Sequence, residues 1–236
     1  MAPEAEEKYL NWIRQRAEHI PLQQLTGEQG FMGLTFSVNE HVLIPRQDTE
    51  ILVEEVLKEL HDGMRVLDMC TGSGCILLSL LHYSNDCEGL GVDLSAEALE
   101  VAGRNVLKVL TPEKAEHAHF LQSDLFEKVE GKFEIIVSNP PYIASAEVEK
   151  LMPEVRDHEP RMALDGTEDG LYFYRRIIEE AGKHLVSSGM LFFEIGYDQG
   201  QAVSELMRTE GYCDVQVVQD YAGLDRVVLG TYCERN

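Results

Sequence analysis

Short apolar runs alternate with amphipathic stretches from Arg65 to the end of the chain. This alternation is typical of βαβ units, so it predicts an α/β fold with a mostly parallel sheet. The predicted strands are 65–70, 89–94, 117–123, 133–139, 189–196, 212–220 and 225–232. The last two follow a predicted helix and are joined by a short link, which favours antiparallel pairing at that end of the sheet.

Helices are predicted where apolar residues recur every three or four positions. The stretch 95–110 has one apolar face, and Ser95 can cap its first turn. A second stripe at positions 52, 56 and 60 follows Asp48 and Thr49, either of which can act as the cap. Further helices are predicted at 4–19 and 199–210.

The part of the chain before these units shows a different pattern. The β-formers alternate around Asn39, which predicts a β-hairpin at 30–45. No internal repeat or low-complexity linker follows, so residues 27–236 are expected to form one domain that begins with this hairpin. Residues 1–26 are expected to form a short helix and linker.

Charge narrows the classes of partner. The 236 residues include 20 Lys and Arg against 42 Asp and Glu, a net charge of −22, and no Lys/Arg cluster is visible. Proteins that bind nucleic acid displace counterions with a basic face, so no stable nucleic-acid complex is expected. No apolar run reaches the roughly 18–20 residues of a membrane span, and the N-terminus lacks a signal-peptide pattern. A cytoplasmic protein with no membrane partner is therefore expected.

Cysteine and histidine spacing gives no sign of cross-links or metals. The five cysteines are odd in number and include no CxxC pair, which favours reduced thiols over a disulfide framework or a zinc site. The eight histidines have no ligand spacing, so no metal is predicted.

The first candidate for chemistry is the small-residue turn Thr71-Gly72-Ser73-Gly74 after strand 65–70. Its glycines lack a Cβ, which would let a ligand approach the backbone at the start of the next helix. Packing of the strand against the helix explains the turn about equally well. Cys70 stands at the first glycine position of the G-x-G-x-x-G motif, so the turn favours a nucleoside without pyrophosphate, such as S-adenosylmethionine, over a nicotinamide dinucleotide.

Acidic residues end the next two predicted strands. Asp93 lies 19 residues after Gly74, where a carboxylate can accept hydrogen bonds from both ribose hydroxyls. It could also cap the helix that begins near Ser95, and the two roles are compatible. Asp124, which precedes Leu125, could border an adenine in the same way, although a surface turn explains it about as well.

The segment Asn139-Pro140-Pro141-Tyr142 follows the fourth predicted strand directly. Its two prolines stiffen the backbone and offer carbonyls without competing N–H donors. The side-chain carbonyl of Asn139, the backbone carbonyl of Pro140 and the ring of Tyr142 together suit a planar group that carries an NH₂. Asn139, Pro140 and Tyr142 are therefore predicted as catalytic residues, and the whole segment, with Pro141, as substrate-binding.

With these motifs the chain resembles class I S-adenosylmethionine-dependent methyltransferases. Within that class it resembles the HemK/PrmC family of protein-(glutamine-N5) methyltransferases, which act on peptide chain release factors. The stretches that carry this resemblance include VLIPRQDTE at 42–50, TGSGC at 71–75, NPPYI at 139–143 and GLDR at 223–226. NPPY also occurs in amino-methylating DNA enzymes, whereas its combination with IPR-x-[DE]-T-E selects this family.

The resemblance implies a Rossmann-like, mostly parallel seven-stranded sheet whose last strand is antiparallel. It also implies methyl transfer from S-adenosylmethionine, with S-adenosylhomocysteine as the product, to a glutamine of a release factor. The cofactor-binding residues implied are Cys70, Thr71, Gly72, Ser73, Gly74, Asp93, Asp124, Leu125 and Asn139. Arg46 could reach the cofactor carboxylate or form a structural ion pair. Family members usually carry an N-terminal helical domain that helps engage the release factor, and residues 1–26 stand in its place.

Two other functions remain open from the residues alone. A DNA or RNA adenine or cytosine amino methyltransferase would use the same NPPY segment to hold a flipped base, but the acidic balance argues against it. A non-catalytic cofactor-binding module is the second alternative. Such a module would have no chemical need for the amide acceptors of the NPPY segment.

Overall fold

A seven-stranded sheet forms the centre of the computed structural model, which describes residues 3–233. The strands are β1 (Glu28–Phe31), β2 (Leu34–Ser37), β3 (Arg65–Met69), β4 (Glu88–Asp93), β5 (Ala118–Gln122), β6 (Phe133–Ser138), β7 (Leu185–Glu194), β8 (Tyr212–Gln219) and β9 (Asp225–Tyr232). Strands β1 and β2 form a separate hairpin, and the main sheet has the order β5-β4-β3-β6-β7-β9-β8. Strands β3 to β7 pair in parallel, and β9 pairs antiparallel with both β7 and β8. The predicted fold class is confirmed.

The helices flank this sheet. They are α1 (Pro3–Ala17), α2 (Leu22–Thr26), α3 (Thr49–Glu59), α4 (Cys75–Tyr83), α5 (Ala96–Val109), α6 (Pro112–Ala115), α7 (Ser145–Val148), α8 (Pro153–Arg156), α9 (Tyr172–Ala181) and α10 (Gly200–Thr209), with a 3-10 turn at Arg161–Ala163. Ser95 caps α5 as predicted, because its hydroxyl accepts a hydrogen bond from the Ala98 N–H. Asp48 precedes α3 but makes no side-chain cap hydrogen bond. Among residues 3–233, no helix combines the length and the apolar character that crossing a membrane requires.

The central strands are mostly apolar because both faces of the sheet are covered. Successive residues of a strand point to opposite faces, so Ile135 and Phe192 join one core cluster while Ile136 and Phe193 join the other. Side chains from α3, α4 and α5 complete the first cluster, and side chains from α9 and α10 complete the second. This double burial fixes where each strand ends, and hence where the loops of the site begin.

The predicted hairpin at 30–45 is wrong in extent. The strands cover only 28–37, and residues 38–48 form an irregular loop. The alternation there reflects burial without strand pairing, because Val38 and Val42 pack against α5. The loop backbone bonds to side chains instead, since the Ile44 N–H donates to Glu159 Oε2 at 3.1 Å.

The expectation of reduced thiols is wrong for one pair of cysteines. Cys213 and Cys233 form a disulfide with their Cα atoms 6.0 Å apart. Cys213 pairs with Thr231 across β8 and β9, two residues before Cys233, so the antiparallel register brings the two thiols together. Spacing in the sequence carries no signal of that register. Cys70, Cys75 and Cys87 are free thiols.

Gly91 of β4 provides a test of packing beneath the site. A Cβ at this position would stand 2.7 Å from the Phe120 ring and 2.9 Å from Thr71 Oγ1. Gly91→Ala is therefore expected to lower the free energy of unfolding by about 1–3 kcal/mol, because a filled core accepts extra volume only with strain. The matched control is Gly103→Ala on the exposed side of α5, where a Cβ would meet nothing within 4 Å. This control is expected to stabilise the protein by up to about 1 kcal/mol. Urea unfolding measures both, and equal midpoints for the two variants would contradict the packing argument.

Candidate active site

A cavity of about 330 Å³ lies at the carboxyl ends of β3, β4 and β6. The order of strands reverses between β3 and β6, and ligands of open α/β sheets bind outside such a reversal. The volume falls within the range typical of small-molecule sites. Residues 3–233 contain no group of three or more His, Cys, Asp or Glu side chains arranged to hold a metal ion.

The glycine turn borders this cavity, and its two glycines serve different purposes. Gly72 has a φ of 55° and lines the cavity, and a Cβ there would meet nothing within 4 Å. Gly74 has a φ of 77°, but its Cβ would stand 3.2 Å from Leu78 and 3.3 Å from Ala102. Gly72 therefore leaves room for a ligand, while Gly74 lets α4 pack against α5. Thr71, Ser73 and Cys70 also line the cavity.

Asp68 holds the glycine turn from inside the sheet and was not among the predicted site residues. Its Oδ2 accepts hydrogen bonds from Thr71 Oγ1 at 2.6 Å and from the Leu77 N–H at 3.3 Å. Its Oδ1 is buried and has no hydrogen-bond partner among the described residues. Burial raises the pKa of this carboxyl to about 7. An acidic residue inside the apolar run VLDMC was the sequence signal that could have identified it.

Asp93 joins two loops at the cavity wall. Its Oδ2 accepts a hydrogen bond from the Gly72 N–H at 2.9 Å, and its Oδ1 accepts one from the Ser95 N–H at 2.9 Å. Burial raises its pKa. A carboxylate can accept about four hydrogen bonds, so these two leave acceptor capacity for a ligand. The role at the start of α5 and a role in ligand binding are therefore compatible in this geometry.

Asp124 and Leu125 lie on the same wall, beyond β5. Asp124 Oδ1 accepts a hydrogen bond from Arg176 Nη1 at 2.8 Å. Leu125 is buried and has a φ of 48°. The ion pair fixes the carboxylate beside the cavity, and the Leu125 side chain adds apolar surface there.

The NPPY segment, residues 139–142, contributes Asn139 and Pro141 to the cavity wall. Asn139 Nδ2 donates a hydrogen bond to Thr49 Oγ1 at 3.4 Å. Within the described part of the chain, no donor bonds to Asn139 Oδ1 or to the Pro140 carbonyl. Pro140 is buried and is not one of the residues that line the cavity. Of these two unpaired acceptors, Asn139 Oδ1 thus belongs to a residue of the cavity wall, and the Pro140 carbonyl follows it directly in the sequence.

Tyr142 is held by contacts behind the NPPY segment, and its predicted contact with a substrate stays a prediction. Its hydroxyl donates a hydrogen bond to Glu194 Oε1 at 3.2 Å, and it is not one of the residues lining the cavity. Burial is the largest cause that raises the pKa of this hydroxyl, with the nearby Glu194 charge next. Its carbonyl accepts a hydrogen bond from Gln199 Nε2 at 3.0 Å. Both ends of Tyr142 therefore hold the NPPY segment in place against β7 and α10.

Arg46 forms a structural ion pair, which is one of the two roles considered for it; the other is contact with the cofactor carboxylate. Its Nη2 bonds to Oε1 of Glu159, a side chain with only 1% of its surface exposed. The other oxygen of Glu159 accepts the Ile44 N–H described above. This pair closes the loop 38–48 over the cavity. The two residues lie 113 positions apart, so local spacing gave no signal of the contact.

The raised pKa of Asp68 predicts how stability depends on pH. Between its ordinary value of 3.8 and about 7, the unfolded chain is ionised at this position while the folded protein keeps the proton. The free energy of unfolding should therefore fall as the pH rises through this window, and Asp68→Asn should remove the roughly 3 kcal/mol of that fall that lies between pH 5 and pH 7. Urea unfolding at pH 5 and pH 8 measures it, with the exposed Asp214→Asn as control. Equal pH dependence in wild type and Asp68→Asn would disprove the prediction.

Comparisons with known proteins agree with this geometry. The family model described as methyltransferase small domain matches residues 46–155. A release factor glutamine methyltransferase of Clostridium acetobutylicum is 44% identical over 94% of this chain and 79% of its own length. Another, of Moorella thermoacetica, is 45% identical over 97% of this chain and 81% of its own length.

A solved structure of a methyltransferase from Pyrococcus furiosus has the same fold. Its TM-score is 0.61 at 18% identity, covering 86% of this chain and 91% of that one. At such low identity the likeness supports the fold alone. The sequence relatives go further, because both exceed 40% identity over most of their length. On that ground, the chain belongs to the family of release factor glutamine methyltransferases.

Proposed function

We propose that this protein transfers a methyl group from S-adenosylmethionine to the side-chain amide nitrogen (N5) of a glutamine in a peptide chain release factor. One observation carries the proposal: Asn139 lines the cavity with its Nδ2 bonded to Thr49, which leaves Oδ1 free as an acceptor. Family membership provides the reaction class, since the relatives are named release factor glutamine methyltransferases. Residues 27–236 are the proposed methyltransferase domain, and residues 1–26 the proposed appendage. Residues 1–2 and 234–236 of these ranges lie outside the described residues.

The residues that line the cavity support S-adenosylmethionine as its ligand. Gly72 leaves open space at the turn, where Thr71 and Ser73 would hold the amino acid part of the cofactor. Asp93 would accept the ribose hydroxyls with its remaining lone pairs. Asp124 and Leu125 would border the adenine. Cys70 and Gly74 would contribute through the shape of the turn, since both have positive φ. When bound, the cofactor supplies a methyl group activated by a sulfonium.

The chain's own contribution to the reaction is orientation. An amide nitrogen is a poor nucleophile, because its lone pair is delocalised into the carbonyl. Asn139 Oδ1 and the Pro140 carbonyl would accept the two N–H groups of the substrate amide, which orients the nitrogen and stabilises the positive charge that develops on it. Orientation of bound reactants contributes roughly 7–11 kcal/mol, so the proposal needs no strong base.

The rest of the NPPY segment would support these two acceptors. Pro141 lies on the cavity wall and would contact the aliphatic part of the substrate side chain. Tyr142 is a positioning residue in this proposal, because its hydroxyl bonds to Glu194 behind the cavity.

The proposed partner is a protein, and not a nucleic acid or a membrane. A net charge of −22 disfavours a phosphate backbone. Release factors act on cytoplasmic ribosomes, so the proposed location is the cytoplasm. A DNA or RNA amino methyltransferase remains the competing function, and the assay below separates the two.

The first test is transfer of a labelled methyl group. Wild-type protein with labelled S-adenosylmethionine is expected to label a glutamine of a bacterial release factor. Asn139→Ala should lower kcat/KM roughly 100-fold or more, because an acceptor for the developing positive charge is lost. Asn11→Ala, on the exposed side of α1, is the control and should retain full activity. Label in DNA or RNA, or no label in the release factor, would refute the proposed function.

The second test concerns the cofactor alone. Asp93→Asn should weaken binding of S-adenosylmethionine about 10-fold, because charged acceptors form stronger hydrogen bonds than neutral ones. Isothermal titration calorimetry measures the affinity. Asp62→Asn, an exposed substitution before β3, should leave the affinity unchanged. An unchanged affinity in Asp93→Asn would show that this carboxylate does not contact the ribose.

A further inference from the structure

A chain of polar side chains runs from Asn139 into the interior behind the cavity. Asn139 Nδ2 donates to Thr49 Oγ1 at 3.4 Å, and Tyr142 donates to Glu194 Oε1 at 3.2 Å. Thr49 and Glu194 are each only 2% exposed. The Thr49 hydroxyl also acts on the Glu194 carboxyl. It lowers the pKa of Glu194, whereas burial, the larger effect, raises it. The proposed function uses the bond to Thr49 only as evidence that Asn139 Oδ1 is free.

Thr49 occupies a position where its hydroxyl is not needed by its own helix. It is the first residue of α3, and its N–H donates to the Arg46 carbonyl at 3.2 Å. Its side chain points to the cavity wall, where it meets Asn139. A buried hydroxyl without a partner costs about 1–3 kcal/mol. The contact with Asn139 accounts for a polar group at this buried site.

The two ends of a carboxamide have nearly the same shape but opposite hydrogen-bonding properties. Asn139 can serve the substrate amide only if Oδ1, the acceptor, faces the cavity. A half-turn of the side chain would present Nδ2 instead, and its N–H groups would face the N–H groups of the substrate. A neighbouring residue must therefore select one of the two orientations.

Thr49 has the properties required for this selection. Glu194 Oε2 is buried and accepts no hydrogen bond from any other described residue, so the Thr49 hydroxyl, which lowers the pKa of Glu194, turns its hydrogen towards that oxygen. The oxygen lone pairs of Thr49 then remain for Asn139. Lone pairs attract Nδ2 and repel Oδ1, which turns Oδ1 towards the cavity.

We propose that Thr49 is a positioning residue that holds the Asn139 carboxamide with its oxygen facing the substrate amide. This inference rests on the proposed function, because it concerns the orientation of the acceptor used there. Removal of the hydroxyl allows the flipped orientation. The rate of methyl transfer then falls, while the cofactor turn on the other side of the cavity is unaffected.

The test compares Thr49→Val, which keeps the shape and loses the hydroxyl, with Thr49→Ser, which keeps the hydroxyl. Thr49→Val is expected to lower kcat for release factor methylation roughly 10- to 100-fold, the size of a misplacement effect. The kcat of Thr49→Ser should stay within about 3-fold of the wild-type value, because the hydroxyl that holds Asn139 is kept. Cofactor affinity and melting temperature check that each variant is folded. Should Thr49→Val not fold, Thr49→Ala provides a second variant without the hydroxyl.

A double-mutant cycle separates positioning from a general structural effect. The affinity for the release factor is measured by calorimetry with S-adenosylhomocysteine bound, in wild type, Thr49→Val, Asn139→Ala and the double variant. If Thr49 acts through Asn139, its substitution weakens binding in the wild type and has no further effect beside Asn139→Ala. Equal losses in both backgrounds, or full kcat in Thr49→Val, would overturn the inference. Absence of methylation by the wild type itself would instead refute the proposed function.

Discussion

The site depends on the parallel pairing of β3 with β6 at the point where the strand order reverses. The register sets Met69 beside Ser138, and the Ser138 hydroxyl donates to the Met69 carbonyl at 2.6 Å. These are the last residues of their strands, so the glycine turn and the NPPY segment start from the same level of the sheet. Both strands are buried on two faces, so a slip of their register would disrupt the packing of both core clusters. The distance between cofactor turn and amide acceptors is thus set by the sheet and not by the loops.

Three buried carboxyl groups fix the positions of the irregular segments relative to the sheet. Asp68 holds the glycine turn, Glu159 holds the loop 38–48, and Glu194 holds the NPPY segment through Tyr142. They are 0%, 6% and 2% exposed, so each is costly to bury. The hydrogen bonds they accept offset this cost only in the observed arrangement, because displacement of a loop would leave a carboxylate unpaired. These buried carboxyl groups are therefore weak evidence for stability, and they serve to specify one geometry of the cavity wall.

The sequence carried the features that depend on neighbouring residues. The apolar residues that recur at every second position predicted strands, and those that recur every three or four positions predicted α5. Ser95 was recognised as the cap of α5. Such features could be predicted because each depends on residues only a few positions apart. Gly72 could be identified from its motif, whereas the packing of Gly74 against Ala102 could not. Contacts between distant segments were missed: Arg46 with Glu159, Tyr142 with Glu194, and the disulfide of β8. Their partners are 113, 52 and 20 positions away, and no local pattern encodes such pairings.

Ion pairs between arginines and carboxylates near the cavity influence which class of macromolecule can bind there. Arg46, Arg161 and Arg176 each bond to a carboxylate, those of Glu159, Asp165 and Asp124, and three of these six residues line the cavity: Arg46, Asp124 and Asp165. A nucleic acid would have to break such pairs to gain cations for its phosphates, on a chain of net charge −22. A protein segment that brings its own Lys or Arg meets no such cost. Positive charge that develops on the amide nitrogen is favoured by the same acidic surroundings. The electrostatics that disfavour a phosphate backbone therefore assist the methylation of a protein amide.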